Sequence, residues 1–345
     1  MKKVISYILL MAIIVVLVPY SIIQMNGKDE GPVQVPDKVK PNKQDTSTVK
    51  PDTAITINVY IHTQKKTVKM YLEDYIKGVI AAEMPVEFNM EALKAQAVAA
   101  RTYALGRATR LYRSYGVHDD ADVCTDHTHC QAWISKEQAM KNWGLMSSFK
   151  YWNKITKAVN DTQGQVIEYN KVLINPLFHS NSGGHTENVE DVWGGKSEPY
   201  LKGVKSMGED TFREYESTVE LSEDEMLKTL KKNNPKIKIN SGSLFENMKI
   251  NGYSSGNRVL SMNIGNVKIK GIDFRKYFNL KSTNLKLKKL AGGKISITTY
   301  GYGHGVGMSQ CGANYMAQKG SNYKEILKHY YQGVEITKLD LSKKN

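Results

Sequence analysis

Glu83 ends the apolar run Val79, Ile80, Ala81 and Ala82 in the stretch "GVIAAEMPVE" and stands two places before Pro85. Leu72, Tyr75, Ile76, Val79 and Ile80 recur at three- and four-residue steps, which predicts a helix with one buried stripe. Pro85 disfavours helical geometry at Met84, so Glu83 falls in the last turn. A carboxylate there faces the negative end of the helix dipole, and partial burial adds a desolvation cost. Both favour the protonated form, the state a general acid needs. A solvated glutamate at a frayed helix end fits the same residues.

Two glycine-containing loops offer polar ligand sites. "GYGHGVGMSQ", residues 301–310, follows a predicted strand and precedes a predicted helix with Ser309 near its N-cap. Glycines let the backbone approach a ligand and a helix N-terminus offers free N–H groups, so His304, Ser309 and Gln310 are candidate substrate contacts. The run is no P-loop, because no Lys-Ser or Lys-Thr follows, and it misses the dinucleotide spacing. The second loop, "HSNSGGHTENVEDVWGGKSEPYLK", holds His179, Ser182, Asp191, Trp193, Tyr200 and Lys202. Aromatic rings beside amide and hydroxyl groups suit a sugar, which offers apolar faces and hydroxyl edges.

A third cluster, "HDDADVCTDHTHC", supplies two thiols and several imidazoles, and its best tetrahedral zinc set is His118, Cys124, His129 and Cys130. Four protein ligands would close the shell and make such a zinc structural. A Cys124–Cys130 disulfide is the alternative, and it would leave Cys311 unpaired. Arg101 shares the apolar face of "MEALKAQAVAARTYALGRATRLY" with Val98 and Leu105, so it needs an anionic partner. A structural ion pair and a role at the site both satisfy that need.

The elements that position these groups follow from pattern. "AITINVYIH" alternates Ile55, Ile57, Val59 and Ile61 on one face of a strand, and "KTVKMYL" continues similarly. The helix ending at Glu83 comes next, then a second helix from about residue 89 to 115, rich in alanine and other strong helix formers. From 205 to about 294 the texture turns to Lys- and Asn-rich strands and turns, read as an inserted smaller lobe, before the strand "KISITTY" returns. The fold class is α+β, with two lobes around a cleft lined by the helix end at Glu83 and the 179–202 and 301–310 loops.

A chain of 345 residues buries a sizeable core. Val4 to Ile23 is an apolar stretch of about 20 residues behind Lys2 and Lys3, which predicts a transmembrane signal-anchor over 1–25 with the N-terminus cytoplasmic and the rest outside. Residues 26–54 mix Pro, Lys, Asp and Thr and read as an extended, disordered tether to a catalytic region at 55–345. The net charge of +14 points to acidic partners. No nucleic-acid recognition module is present, so an anionic wall polymer or lipid surface is the expected one.

The segments "IAAEMP", "ALKAQAVAARTYAL", "SGGHTENVEDVWG", "PYLKGV", "GIDFRKYFNLKSTN" and "GYGHGVGMSQCGANYMAQKG" together resemble the stage II sporulation protein D family, over about residues 55–335. The resemblance implies a membrane-anchored lytic transglycosylase that cuts peptide-stripped peptidoglycan between N-acetylmuramic acid and N-acetylglucosamine during engulfment of the forespore. It implies stage II sporulation proteins P, an amidase, and M, a membrane protein, as partners, and a location facing the space between mother cell and forespore. It makes Glu83 the catalytic acid, with Arg101, Tyr200 and Lys202 needed at the site, and matches His118, Cys124, His129 and Cys130 to a zinc site of clostridial-type members. Cys311 stands where many relatives carry Tyr. A single carboxylate suffices for this chemistry; Asp191, Glu187 and Glu87 are candidates for a second that would permit hydrolysis. The alternatives are a non-catalytic glycan-binding enhancer of a wall amidase and a zinc-dependent amidase or peptidase.

Overall fold

A computed structural model describes residues 55–111, 120–239 and 244–339. The expected anchor, the tether and His118 lie outside them, and no helix among the described residues is long and apolar enough to cross a membrane. The first elements are β1 (Thr56–Ile61), β2 (Lys66–Tyr71), α1 (Leu72–Glu83), α2 (Met90–Ala108), β3 (Val123–Cys124), α3 (Lys136–Trp143) and α4 (Leu145–Asp161). There follow β4 (Gln165–Tyr169), β5 (Val172–Leu173), β6 (Phe178–His179), α5 (Val189–Trp193), β7 (Glu216–Ser222), α6 (Glu223–Asn233), β8 (Met248–Tyr253), β9 (Val259–Ile264) and β10 (Val267–Lys270). The chain closes with α7 (Gly271–Tyr277), β11 (Leu285–Leu290), β12 (Lys294–Tyr300), β13 (Met308–Ser309), α8 (Gln310–Gln318), α9 (Tyr323–Tyr330) and β14 (Glu335–Lys338).

This is a mixed α+β protein built on small sheets. β1 pairs antiparallel with β2 and parallel with β3, and the alternation along β1 buries Ile57, Val59 and Ile61. At its centre, α2 is buried along most of its length and packs against α1, α4, β4, α8 and α9. Alanines on nearly every side let those neighbours approach closely, as expected of a helix that is apolar all round. The helix begins at Asn89, whose side chain caps the Glu91 N–H at 3.0 Å, and ends at Ala108, short of the expected 115.

Two buried clusters divide the apolar side chains. The larger gathers β1, α1, α2, α4, β4, α8 and α9; the smaller runs from Met226 to Ile297. β12, expected to belong to the main body, instead pairs with β7 and β11 and places Ile295 and Ile297 in the smaller cluster. Both clusters belong to one compact unit. Arg258, in the turn between β8 and β9, fastens the smaller cluster's sheet to the glycine loops: its guanidinium donates to Gly303 O at 2.9 Å and Ser182 O at 3.1 Å.

Candidate active site

α1 stops where Pro85 requires. Met84 is extended (φ −122°, ψ 141°), and its N–H donates to Ile80 O at 3.1 Å. The turn beyond is held from α4, where Lys154 Nζ donates to Val86 O at 2.8 Å and Phe88 O at 2.6 Å. The face of α1 that carries Glu83 grips the 131–134 segment at three points. Tyr75 Oη donates to Gln131 Oε1 at 3.3 Å, Gly78 O accepts from Ile134 N–H at 3.3 Å, and Glu83 Oε1 accepts from Ala132 N–H at 2.6 Å. Gly78 is required for this approach, since a Cβ there would meet the Trp133 indole nitrogen at 2.2 Å.

Glu83 opens into a cavity of about 700 Å³ together with Tyr103, His127, Gln131, His179, Glu214, Arg275, Lys281, Tyr302, His304 and Gln310. That volume lies within the usual range for ligand pockets. Burial pushes the Glu83 carboxyl up from its usual range, against the smaller opposing pull of the Ala132 N–H and His127. In the same cavity His304 stays neutral, its pKa driven down to about 3 by burial and by Arg258 and Arg275. The glycine loop reaches this position through close backbone passage: at Gly307 (φ +73°) a Cβ would meet Leu177 O at 2.0 Å.

The expected site residues separate into groups. Glu83, His304 and Gln310 share the cavity. Ser182 and Ser309 are fully buried and both donate to Glu209, a buried carboxylate that also accepts from Ser206 Oγ at 2.9 Å and Gly184 N–H at 2.8 Å. They shape the two loops and leave no hydroxyl facing a ligand; Ser309 also caps α8. Arg101 is fully buried away from the cavity wall, forked onto Glu73 through Nε at 2.9 Å and Nη2 at 2.7 Å. Its apolar helix face forces a partner, and Glu73 supplies it. Lys202 donates to Glu190 and Ser197, and Tyr200 packs on the ring of Tyr169 with its hydroxyl accepting from Asn175 N–H at 3.3 Å. Neither lines the cavity.

Among the second-carboxylate candidates, Glu187 and Asp191 line a neighbouring cavity of about 330 Å³, and Glu87 is exposed outside both. Glu214 is the second acid on the Glu83 cavity among the described residues. Local sequence gave no signal for it, nor for Tyr103 or Gln131. His127 lay in the segment weighed for metal, and Arg275 in a segment marked only by resemblance.

Cys124, His129 and Cys130 converge beside the cavity, with both Cys124 and Cys130 as free thiols. Their Sγ atoms lie 3.3 and 3.4 Å from His129 Nδ1. Tetrahedral zinc, with Zn–S about 2.3 Å and Zn–N about 2.0 Å, separates such donors by about 3.5 Å, so the three side chains fit the ion. Cys130 is pulled down to about 5 by its hydrogen bond with Cys124, whose own thiol is pushed up.

Residues 60–169 match the family model described as "Stage II sporulation protein". The chain is 38% identical over 289 residues to Stage II sporulation protein D of Bacillus amyloliquefaciens, covering 84% of this chain and 80% of that one. It is 37% identical over 302 residues to Stage II sporulation protein D of Bacillus subtilis strain 168, covering 87% and 84%. It is also 31% identical over 314 residues to the protein named Amidase enhancer of Bacillus subtilis strain 168, covering 76% of this chain and 40% of that protein.

Proposed function

The chain belongs to the stage II sporulation protein D family, and from that premise we propose that it is a lytic transglycosylase of peptide-stripped peptidoglycan, acting during engulfment of the forespore. The observation that carries this reading is the half-buried Glu83, its carboxyl pushed toward the protonated state at the edge of a saccharide-sized cavity. Glu83 gives its proton to the oxygen between N-acetylmuramic acid and N-acetylglucosamine. The C1–O bond breaks and an oxocarbenium-like sugar forms. The carboxylate then takes the proton of that sugar's C6 hydroxyl, whose oxygen bonds to C1 and closes a 1,6-anhydro ring. Glycosidases usually need a second carboxylate for a nucleophile or an activated water; here the substrate supplies the nucleophile.

Ala132 N–H holds the carboxylate in position for both transfers. Zinc on Cys124, His129 and Cys130 would supply a structural tie for the segment that ends at Ala132. Arg101 and Glu73 fix α2 against the start of α1, a positioning role remote from the sugar. Under the same reading the N-terminal segment anchors the chain in the membrane, with the catalytic region outside and with stage II sporulation proteins P and M as partners.

The full-length chain incubated with denuded glycan should release fragments ending in 1,6-anhydro-muramic acid, read by mass spectrometry, and Glu83→Gln should lose this activity at least a thousandfold while keeping its fold. Substantial cleavage by Glu83→Gln rejects the assignment. The likeness to the protein named Amidase enhancer favours a second reading, a glycan-binding protein that stimulates an amidase. That reading predicts no anhydro ends from the chain alone.

A further inference from the structure

The arginine and the lysine that the resemblance implies at the site are already engaged, Arg101 by Glu73 and Lys202 by Glu190. Another cation stands where a ligand can reach it. Arg275, on α7, lines both the Glu83 cavity and the neighbouring one, and His304 is beside it on both walls. Its Nε donates to Leu280 O at 3.1 Å. Among the described residues no carboxylate lies within ion-pair distance of its guanidinium, whereas Arg258 nearby faces Glu187 at 3.9 Å. A half-buried guanidinium without a counter-ion is costly unless something anionic arrives, and its planar fork matches a carboxylate.

The surroundings suit a sugar that carries that carboxylate. In the Glu83 cavity Lys281 lies over the exposed ring of Tyr302 at 4.2 Å. The neighbouring cavity offers Trp193, 48% exposed and 5.1 Å from the His304 ring, together with Lys268 and Lys270. Aromatic faces for the pyranose and cations for its acidic group thus line the two cavities that share Arg275, although Glu187, Glu190 and Asp191 also line the neighbouring one.

We propose that Arg275 recognises a carboxylate on a bound saccharide and so sets the preference for peptide-stripped strands. The inference rests on the function proposed above, in which the carboxylate is the lactyl group that peptide removal exposes on muramic acid. A stem peptide in amide linkage abolishes that charge, so an unstripped strand forfeits the forked contact.

The test is binding, independent of turnover. Denuded strands labelled at one end, with lactyl groups free or methyl-esterified, are titrated against the full-length chain carrying Glu83→Gln, alone and combined with Arg275→Gln or Arg275→Lys. Charge-assisted hydrogen bonds predict that esterification weakens binding about tenfold or more when Arg275 is present. The preference should vanish with Arg275→Gln and survive in part with Arg275→Lys. Equal binding of free and esterified strands by the Arg275 form overturns the proposal without any variant at that position having to fold. So does a preference that persists unchanged in Arg275→Gln, which would assign it to the surface lysines. Failure of the catalytic reading shows separately, as absence of anhydro ends from the unsubstituted chain.

Discussion

Glu83 is a carboxyl whose surroundings disagree about its charge. Burial favours the neutral form, and the Ala132 N–H and His127 favour the ion, with burial the larger effect. A general acid must start protonated, so the cleavage rate should hold at low pH and fall as pH rises through the raised Glu83 pKa, a limb that lies above the ordinary carboxylate range. A rate profile falling only through the ordinary range would contradict the assignment. The position of Glu83 at a helix end was legible from Pro85 and the apolar steps before it. Its hydrogen-bond partner was not, because Ala132 lies 49 residues away. Arg101 shows the converse. Its need for an anion was legible, but only the fold reveals that Glu73, 28 residues earlier, meets it. Arg101→Gln should lower stability by about 3 kcal/mol, as loss of one partner of a buried pair does, while the folded fraction keeps its KM for glycan. A large KM increase at unchanged melting temperature would return Arg101 to the ligand site.

Among the elements, the 124–134 segment decides how α1 is used. Its first part carries the three zinc-type donors and its last part the contacts from Tyr75, Gly78 and Glu83 to residues 131–134. Metal bound at one end would therefore order the backbone donor at the other. The purified full-length chain should hold about one zinc per molecule by elemental analysis. Cys124→Ser should lose the metal, lower the melting temperature and reduce cleavage. A metal-free protein with unchanged melting and activity would remove zinc from the account. Sequence composition suggested these donors, but not the contacts that α1 makes with residues 131–134, which come from far along the chain. The two glycine loops were legible as close-approach backbone. Why they approach was not: Glu209 lies outside both loops and gathers Ser182 and Ser309 from a buried position.

At the scale of the molecule, alternation foretold β1, helical periodicity α1, and alanine-rich composition the start of α2, and together they foretold an α+β class. They did not foretell that β12 would join the sheet of the smaller cluster, because its alternation serves either core equally well. The arrangement that results gathers Glu83, His304 and Arg275 around one cavity, with Glu214 its other acid among the described residues. Under the proposed function one carboxyl suffices because the sugar's own hydroxyl, and no water, attacks C1. Cleavage of denuded strands by the full-length chain in water enriched in oxygen-18 measures this directly. Every new muramic end should appear as the anhydro form, lighter than an end hydrolysed in that water by one molecule of heavy-oxygen water and free of the heavy isotope. New reducing ends carrying oxygen-18 at C1 would mean that water attacks, and would contradict the account.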